Sequence, residues 1–243
     1  AWALTVLAAD ARLGAIDHYG ELWATALPET PVEGGTIEGR ITDLQARFNL
    51  NNVAPRGVRS APNIALARTL FTQSGVPAGL VDALVDAIDR DELTEDGQSE
   101  RQRYGRPLRN APLRRIADLL EVPGFTEAHA RALMAVATVL PEATPINANT
   151  AAPSLVAAAF PGAPRDALER AIARRAQQPY SSVGDLAAAI GQTVPDGVLS
   201  TSTQYFDVQA TIRFERAAHR VQLHIARPPG ARAIVISRLI TNA

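Results

Sequence analysis

The sequence predicts an α+β fold in which a small antiparallel sheet is interrupted by a large all-helical insertion. Apolar and polar residues alternate around Ile37, Gly39 and Ile41, which is the period of a β-strand. A long run of helical periodicity follows, and strand alternation returns only after Thr201. We therefore expect three parts: an N-terminal helix and first strand in residues 1–61, an inserted α-helical domain in 62–199, and closing strands in 200–243.

The N-terminal segment, from Ala1 to Leu27, has the apolar spacing of a helix that packs on the sheet. Its apolar stripe steps by three and four residues along one face: Leu13, Ile16, Gly20, Trp23 and Leu27. Pro28 and Pro31 are expected to end the helix. Such a helix is longer than a small sheet can cover, so we expect Trp2 to Leu7 to be poorly packed in the isolated chain.

The segment from Ile41 to Asn52 marks the point where the strand stops. Its second half carries three asparagines around Leu50, and asparagine side chains favour turns by bonding to nearby backbone. Ala54 to Gly57 and Ala61-Pro62 are expected to link this turn to the helical region.

The middle of the chain predicts short helices separated by proline and glycine. Thr126 is expected to cap one of them, and Asn149 or Thr150 to cap another that starts at Pro153. The expected helical segments are Leu66–Phe71, Leu80–Ile88, Ile116–Leu120, Glu127–Leu140, Pro153–Phe160, Arg165–Ala176 and Ser182–Ile190.

The C-terminal region predicts three successive strands of an antiparallel meander. The first alternates without a break, and we expect its apolar residues to face Leu13, Ile16 and Trp23 of the N-terminal helix. These residues are Phe206, Val208, Ala210, Ile212 and Phe214. The other two strands are marked by Val221, Leu223 and Ile225, and by Ile234 and Ile236.

The composition excludes several kinds of chemistry. With a net charge of −1, the chain has no overall excess of positive charge to attract nucleic acid or an anionic membrane. All 24 basic residues are arginine and there is no cysteine, which excludes lysine Schiff bases, disulfides and thiolate sites. The histidines do not have the spacing of a metal pair or a catalytic base, so we expect a protein that is not an enzyme: His18, His129, His219 and His224.

An acidic run suggests a metal ion. Asp82 to Glu100 holds eight acids, and Arg101 to Arg115 holds six arginines and no acid. Hard Ca²⁺ prefers several carboxylate oxygens, and four acids lie at the end of a predicted helix and across a loop with Gly97: Asp89, Asp91, Asp96 and Glu100. The alternative is a solvated face neutralised by the arginines.

Four ordered segments resemble the K-type minor pseudopilins of bacterial type II secretion systems (general secretion pathway protein K). They are DLQARFNLNN, VDALVDAIDRDELTEDGQSERQRYG, PINANTAAPSLVAAAFPG and STQYFDVQATI. The resemblance implies a pilin-like fold, with a long N-terminal helix on the sheet and a helical insertion, at the tip of the pseudopilus. It also implies calcium in the acidic region, although the family's Gly-Ala-Glu-Asp is here Gly97-Gln98-Ser99-Glu100, with one acid in place of two.

The resemblance further implies where the protein acts and what it binds. Two other minor pseudopilins are the expected partners of the N-terminal helix, through Leu4, Leu7, Leu13 and Ile16. Secreted substrate or the outer-membrane secretin is a further expected partner. A membrane-spanning segment upstream of residue 1 would anchor the protein in the bacterial inner membrane, with this domain in the periplasm.

A rival interpretation comes from segments similar to the helix-hairpin-helix repeat of DNA-binding proteins, VPGFTEAHARAL and the longer region around Pro161-Gly162-Ala163-Pro164. In that repeat, backbone amides of a glycine-rich hairpin hold phosphate. Here Pro164 has no amide to donate, and Asp166 and Glu169 lie among the arginines. We expect the repeat to serve packing, and no nucleic acid partner.

Overall fold

The computed structural model describes residues 2–214 and 217–242 and confirms the α+β class. The helices are α1 Trp2–Asp10, α2 Ala61–Gln73, α3 Leu80–Ile88, α4 Glu100–Tyr104, α5 Glu127–Leu133, α6 Pro153–Ala159, α7 Arg165–Arg175 and α8 Val183–Ile190. The strands are β1 Leu27–Val32, β2 Gly35–Asp43, β3 Phe48–Asn49, β4 Ala137–Thr138, β5 Ile146–Asn147, β6 Leu199–Ser200, β7 Tyr205–Phe214, β8 Ala217–Ala226 and β9 Ile234–Asn242.

The main sheet joins strands from both ends of the chain. Its order is β1-β2-β7-β8-β9, and every neighbouring pair is antiparallel. Strand β2 precedes the helical region and β7 follows it, so the interruption predicted from the sequence is confirmed. Two short parallel pairs, β3–β4 and β5–β6, lie outside this sheet. The boundaries 1–61, 62–199 and 200–243 stay a prediction.

The N-terminal helix is much shorter than the sequence indicates. It ends at Asp10, and Leu27 already belongs to β1. The guanidinium of Arg227 binds the carboxylates of both Asp10 and Asp17. Residues seven apart in a helix are separated by about 10 Å along its axis, so a continuous helix would prevent this shared contact. The predicted helix is therefore wrong beyond Asp10, and Leu13 of its apolar stripe is 84% exposed.

Helix α1 packs closely on the sheet. Ala3 and Leu7 are buried in a cluster with Phe206 and Val208 of β7, which contradicts the expectation that Trp2 to Leu7 are poorly packed. The predicted contact of Trp23 with Phe206 is confirmed, since their ring centroids are 5.3 Å apart. At the other end of β7 the prediction fails, because Phe214 is not part of this cluster and is 47% exposed.

Capping residues explain where several inserted helices begin and end. The Thr126 hydroxyl accepts a hydrogen bond from the His129 amide as predicted, and α8 begins after Ser182 and ends at Gly191. Two expectations are wrong. Helix α5 stops at Leu133 because the chain then forms β4, and the cap position of α6 is Ala152.

The side chain of Asp43 joins the sheet to the inserted helical region. Its buried carboxylate accepts hydrogen bonds from the Gln45 amide at 2.7 Å and the Asn147 amide group at 3.0 Å. It also accepts from the hydroxyls of Thr150 and Thr203, each at 2.6 Å. Thr150 is thus used in this network and not as a helix cap. Burial raises the pKa of Asp43 to about 6, although the hydrogen bonds from these donors lower it.

Stability is expected to depend on pH through Asp43. The folded protein keeps the proton between pH 3.8 and about 6, where the unfolded chain has lost it. The protonated Asp43 therefore adds about 3 kcal/mol to the free energy of unfolding below pH 3.8. This added stability is lost as the pH rises from 3.8 through about 6. Urea unfolding of the wild type and Asp43→Asn at several pH values measures it. As the pH rises through this window, the free energy of unfolding of the wild type should fall by that amount relative to that of Asp43→Asn. A difference between the two proteins that does not change with pH would contradict the prediction.

Candidate functional site

Three of the four acids proposed as metal ligands come together. One carboxylate oxygen from each of Asp89, Asp91 and Glu100 lies within 4.8 Å of the other two. A Ca²⁺ ion binds oxygen at about 2.3–2.6 Å, so a common centre for three oxygens at this spacing is geometrically allowed.

Local sequence folds the loop that presents these acids. Asp89 directly follows α3 in its C-cap position, and Glu100 is the first residue of α4. Between them, the Thr94 amide donates to the Gln98 carbonyl at 2.9 Å, and the Glu100 amide donates to the Glu92 carbonyl at 3.0 Å. These bonds fold the acidic run back on itself and bring Glu100 beside Asp89.

The buried oxygens of this cluster lack hydrogen-bond donors. Asp89 and Glu100 are buried, and both oxygens of Asp89 and Oε1 of Glu100 have no hydrogen-bond partner among the described residues. Burial and the nearby Asp91 raise the pKa of Asp89 to about 7. Burial and the nearby Asp89 likewise raise the pKa of Glu100 to about 7. Buried carboxylates are normally paired or bound to a metal, so the donor set fits a hard cation.

The fourth predicted ligand, Asp96, lies apart from the cluster. Its side chain is exposed, accepts a hydrogen bond from the Thr94 hydroxyl, and is 3.3 Å from Nη1 of Arg103. The Thr94 hydrogen bond lowers the pKa of Asp96. Placing Asp96 in a shared site was therefore wrong, because its own loop directs the carboxylate towards α4.

Asp86 is a further acid of the run and is buried next to the cluster. Its carboxylate accepts a hydrogen bond from the Tyr104 hydroxyl at 2.7 Å and lies 3.3 Å from Nη1 of Arg59. Arg59 is also 3.5 Å from Oδ2 of Asp89. Asp86 is therefore neutralised by a side chain of the protein, while Asp91 and Glu100 form no ion pair with a described residue.

Sequence reasoning missed Asn110 at this site. Its side-chain amide donates to the Asp91 backbone carbonyl at 2.5 Å, while its own oxygen is buried without a partner. The residue has a φ of 47°, which is uncommon outside glycine. A lone asparagine in an arginine-rich loop gave no sequence signal for this role.

A second group of acids, Asp10, Asp17 and Glu21, has comparable spacing. Here the cation is supplied by the protein. Nη1 of Arg227 is 2.6 Å from Asp10, and the guanidinium stacks 4.7 Å from the centre of the Phe206 ring. This group fastens the end of α1 to the sheet, so we assign it a structural role.

The four residues expected to contact partners have different surroundings. Leu7 is fully buried against the sheet, and Leu4 is partly buried beside it. Leu13 is exposed beyond the end of α1, and Ile16 is half-buried. The exposed side of α1 carries Thr5, Ala8 and Ala9 instead. Within residues 2–214 and 217–242, no helix is long and apolar enough to span a membrane.

The hairpin between α6 and α7 shows how its arginines are used. Arg165 and Arg170 form ion pairs with Glu169 and Asp166 on the same helix. Arg175 points inward and donates to backbone carbonyls, including that of Ala151 at 2.6 Å. These pairings leave α7 without a row of free cations facing a phosphate backbone, and they favour packing over nucleic-acid binding.

Comparisons with known proteins agree over most of the chain. Two family models described as type II secretion system protein K match residues 46–142 and 146–209. The type II secretion system protein K of Pseudomonas aeruginosa is 30% identical over 85% of this chain and 67% of its own length. That of Klebsiella pneumoniae is 30% identical over 65% of this chain and 56% of its own length.

The fold also matches a solved structure. A chain in the crystal structure of the GspK-GspI-GspJ complex from enterotoxigenic Escherichia coli superimposes with a TM-score of 0.76, covering 100% of this chain and 92% of that one. The sequence identity between them is 22%, so this match supports the fold.

Proposed function

This chain belongs to the protein K family of type II secretion systems, and from that membership we propose that it caps or initiates the pseudopilus as a minor pseudopilin bound to other minor pseudopilins. The observation that carries the proposal is the family match, which covers most of the helical region and reaches into β7. The protein in the matched crystal structure assembles with GspI and GspJ. By analogy, the partners of this chain are two further minor pseudopilins.

The proposed activity is assembly without catalysis. A short helix α1 fixed on a sheet offers a rigid surface to neighbouring subunits, and the helical region is inserted between strands β2 and β7 of the same sheet. We propose that the protein is anchored in the inner membrane, with this domain in the periplasm, where contacts with secreted substrate or the secretin become possible. The DNA-binding alternative has no supporting observation.

We also propose that the protein holds one Ca²⁺ ion at Asp89, Asp91 and Glu100. The support is geometric: three carboxylates share a centre, and the buried oxygens of Asp89 have no hydrogen-bond donor. When bound, the ion would neutralise the cluster and order the loop between α3 and α4. Asn110 is placed to position Asp91 through the hydrogen bond from its amide to the backbone carbonyl of that residue.

Partner binding is tested by a charge on the exposed side of α1. Ala8→Arg is expected to weaken binding to the other minor pseudopilins at least about tenfold, because the arginine must be buried at the interface. Leu7 is unsuitable for this test, since it is buried and its replacement would disrupt the packing of α1 on the sheet. Affinity for the purified periplasmic domains of the other minor pseudopilins is the measurement.

Ala128→Arg is the matched control, because Ala128 is also an exposed alanine within a helix. It should leave the affinity unchanged, and both variants should melt within a few degrees of the wild type. Equal affinity of Ala8→Arg and the wild type would refute α1 as the partner surface.

A further inference from the structure

The two edges of the main sheet differ in how they are protected. Strand β1 has Pro28, Pro31 and Glu29, and its pairing with β2 is broken by an irregularity between Leu27 and Thr30. Prolines, charges and bulges are the usual means by which an edge strand avoids pairing with another chain. The β1 edge is therefore closed to further strands.

Strand β9, at the opposite edge, has little such protection. All nine of its residues are exposed, none is proline, and Arg238 is its only charge. Its one register shift lies near its start, which leaves Ser237 to Asn242 regularly paired with β8. Five large apolar side chains are between 40% and 56% exposed: Ile234, Val235, Ile236, Leu239 and Ile240. An exposed apolar edge of this kind is normally covered in a working assembly.

The β9 edge lies beside the part of the sheet that α1 covers. Arg238 pairs with Leu223 of β8, and Leu223 packs against the cluster that contains α1. Ala233, just before β9, packs against the same cluster. Strand β9 therefore adjoins the area of the sheet that α1 covers.

We propose that the outer edge of β9 is completed by a β-strand from another minor pseudopilin, an apolar strand with an acidic residue opposite Arg238. This inference rests on the proposed function. Arg238 forms no ion pair with a residue in 2–214 or 217–242, so its charge is available to a partner. A second copy of the chain fits less well, because antiparallel pairing over all nine residues places Arg238 opposite Arg238, and like charges directly opposite destabilise a sheet.

The test combines a charge reversal with hydrogen exchange. Arg238→Glu is expected to weaken binding to the partner domain at least about tenfold. Arg220→Glu is the matched control: it makes the same charge change at an exposed arginine on the inner strand β8, and it should bind like the wild type. In the wild type, adding the partner should slow amide exchange in residues 237–242.

The outcomes separate this inference from the proposed function. If Ala8→Arg weakens binding while residues 237–242 exchange at the same rate with and without the partner, the β9 inference is overturned and the proposed function stands. If no minor pseudopilin binds the wild type, the proposed function fails. Slowed exchange that follows protein concentration without any partner would identify a second copy as the occupant and overturn the inference.

Discussion

Replacing Asn51 with leucine is expected to lower the free energy of unfolding by about 3–6 kcal/mol. The buried amide of Asn51 donates to the carbonyls of Leu113 and Leu140, each at 2.9 Å, and its oxygen accepts from the Leu113 amide at 2.8 Å. Leucine has nearly the same size but cannot bond, so three buried backbone groups lose their partner. The expected loss is a large fraction of the stability of a typical domain.

Asn63→Leu is the matched control for this substitution. Asn63 is also buried, but it makes one side-chain hydrogen bond, to the Ser60 hydroxyl at 2.9 Å, and its oxygen is already without a partner. Its replacement should change the free energy of unfolding by about 1 kcal/mol or less. Urea denaturation followed by circular dichroism compares the two variants, and equal values for both would show that the Asn51 bonds do not stabilise the fold.

The asparagine-rich segment also shows the limit of local pattern. Composition correctly predicted that the strand ends there, because asparagine favours turns. The turn, however, is buried, and its asparagines bond to backbone far along the chain: Asn49 to Leu140, Asn51 to Leu113 and Asn52 to Thr144. A pattern that considers only neighbouring residues contains no information about such distant partners.

The sheet was predictable because alternation has a period that no helix shares. β2, β7 and β8 follow the predicted spacing, and the order of the sheet follows from their place in the chain. Strand β1 was missed because Pro28 and Pro31 indicated a helix end. Edge strands tolerate proline, since the lost amide need not pair on the outer side.

The acidic site was predictable in part. Residue type identified Asp89, Asp91 and Glu100 as oxygen donors, and the helix end at Asp89 followed from the apolar spacing. Whether Asp96 joined them depended on the path of the loop. That path is set by the hydrogen bond between the Thr94 amide and the Gln98 carbonyl. The contribution of Asn110 depended on a contact with no local signal.

Removal of calcium is expected to lower the melting temperature by about 5–10 °C, because an ion present at a hundredfold excess over its dissociation constant stabilises the folded state by about 2.7 kcal/mol. EDTA should cause the drop, and excess calcium should reverse it better than magnesium. Magnesium holds its waters and requires octahedral geometry, which three carboxylates on one loop do not supply. Differential scanning calorimetry with and without each ion measures the shift.

Two variants locate the ion. Asp89→Asn should abolish the calcium-dependent shift, and in EDTA it should be at least as stable as the wild type, because it removes a buried carboxylate without a hydrogen-bond donor. Asp96→Asn is the control on the same loop and should keep the full shift, since Asp96 lies outside the cluster. Loss of the shift in Asp96→Asn but not in Asp89→Asn would place the ion elsewhere. A wild-type melting curve indifferent to EDTA would mean that Asp89 and Glu100 are neutralised by protons and by Arg59, and that no ion is bound.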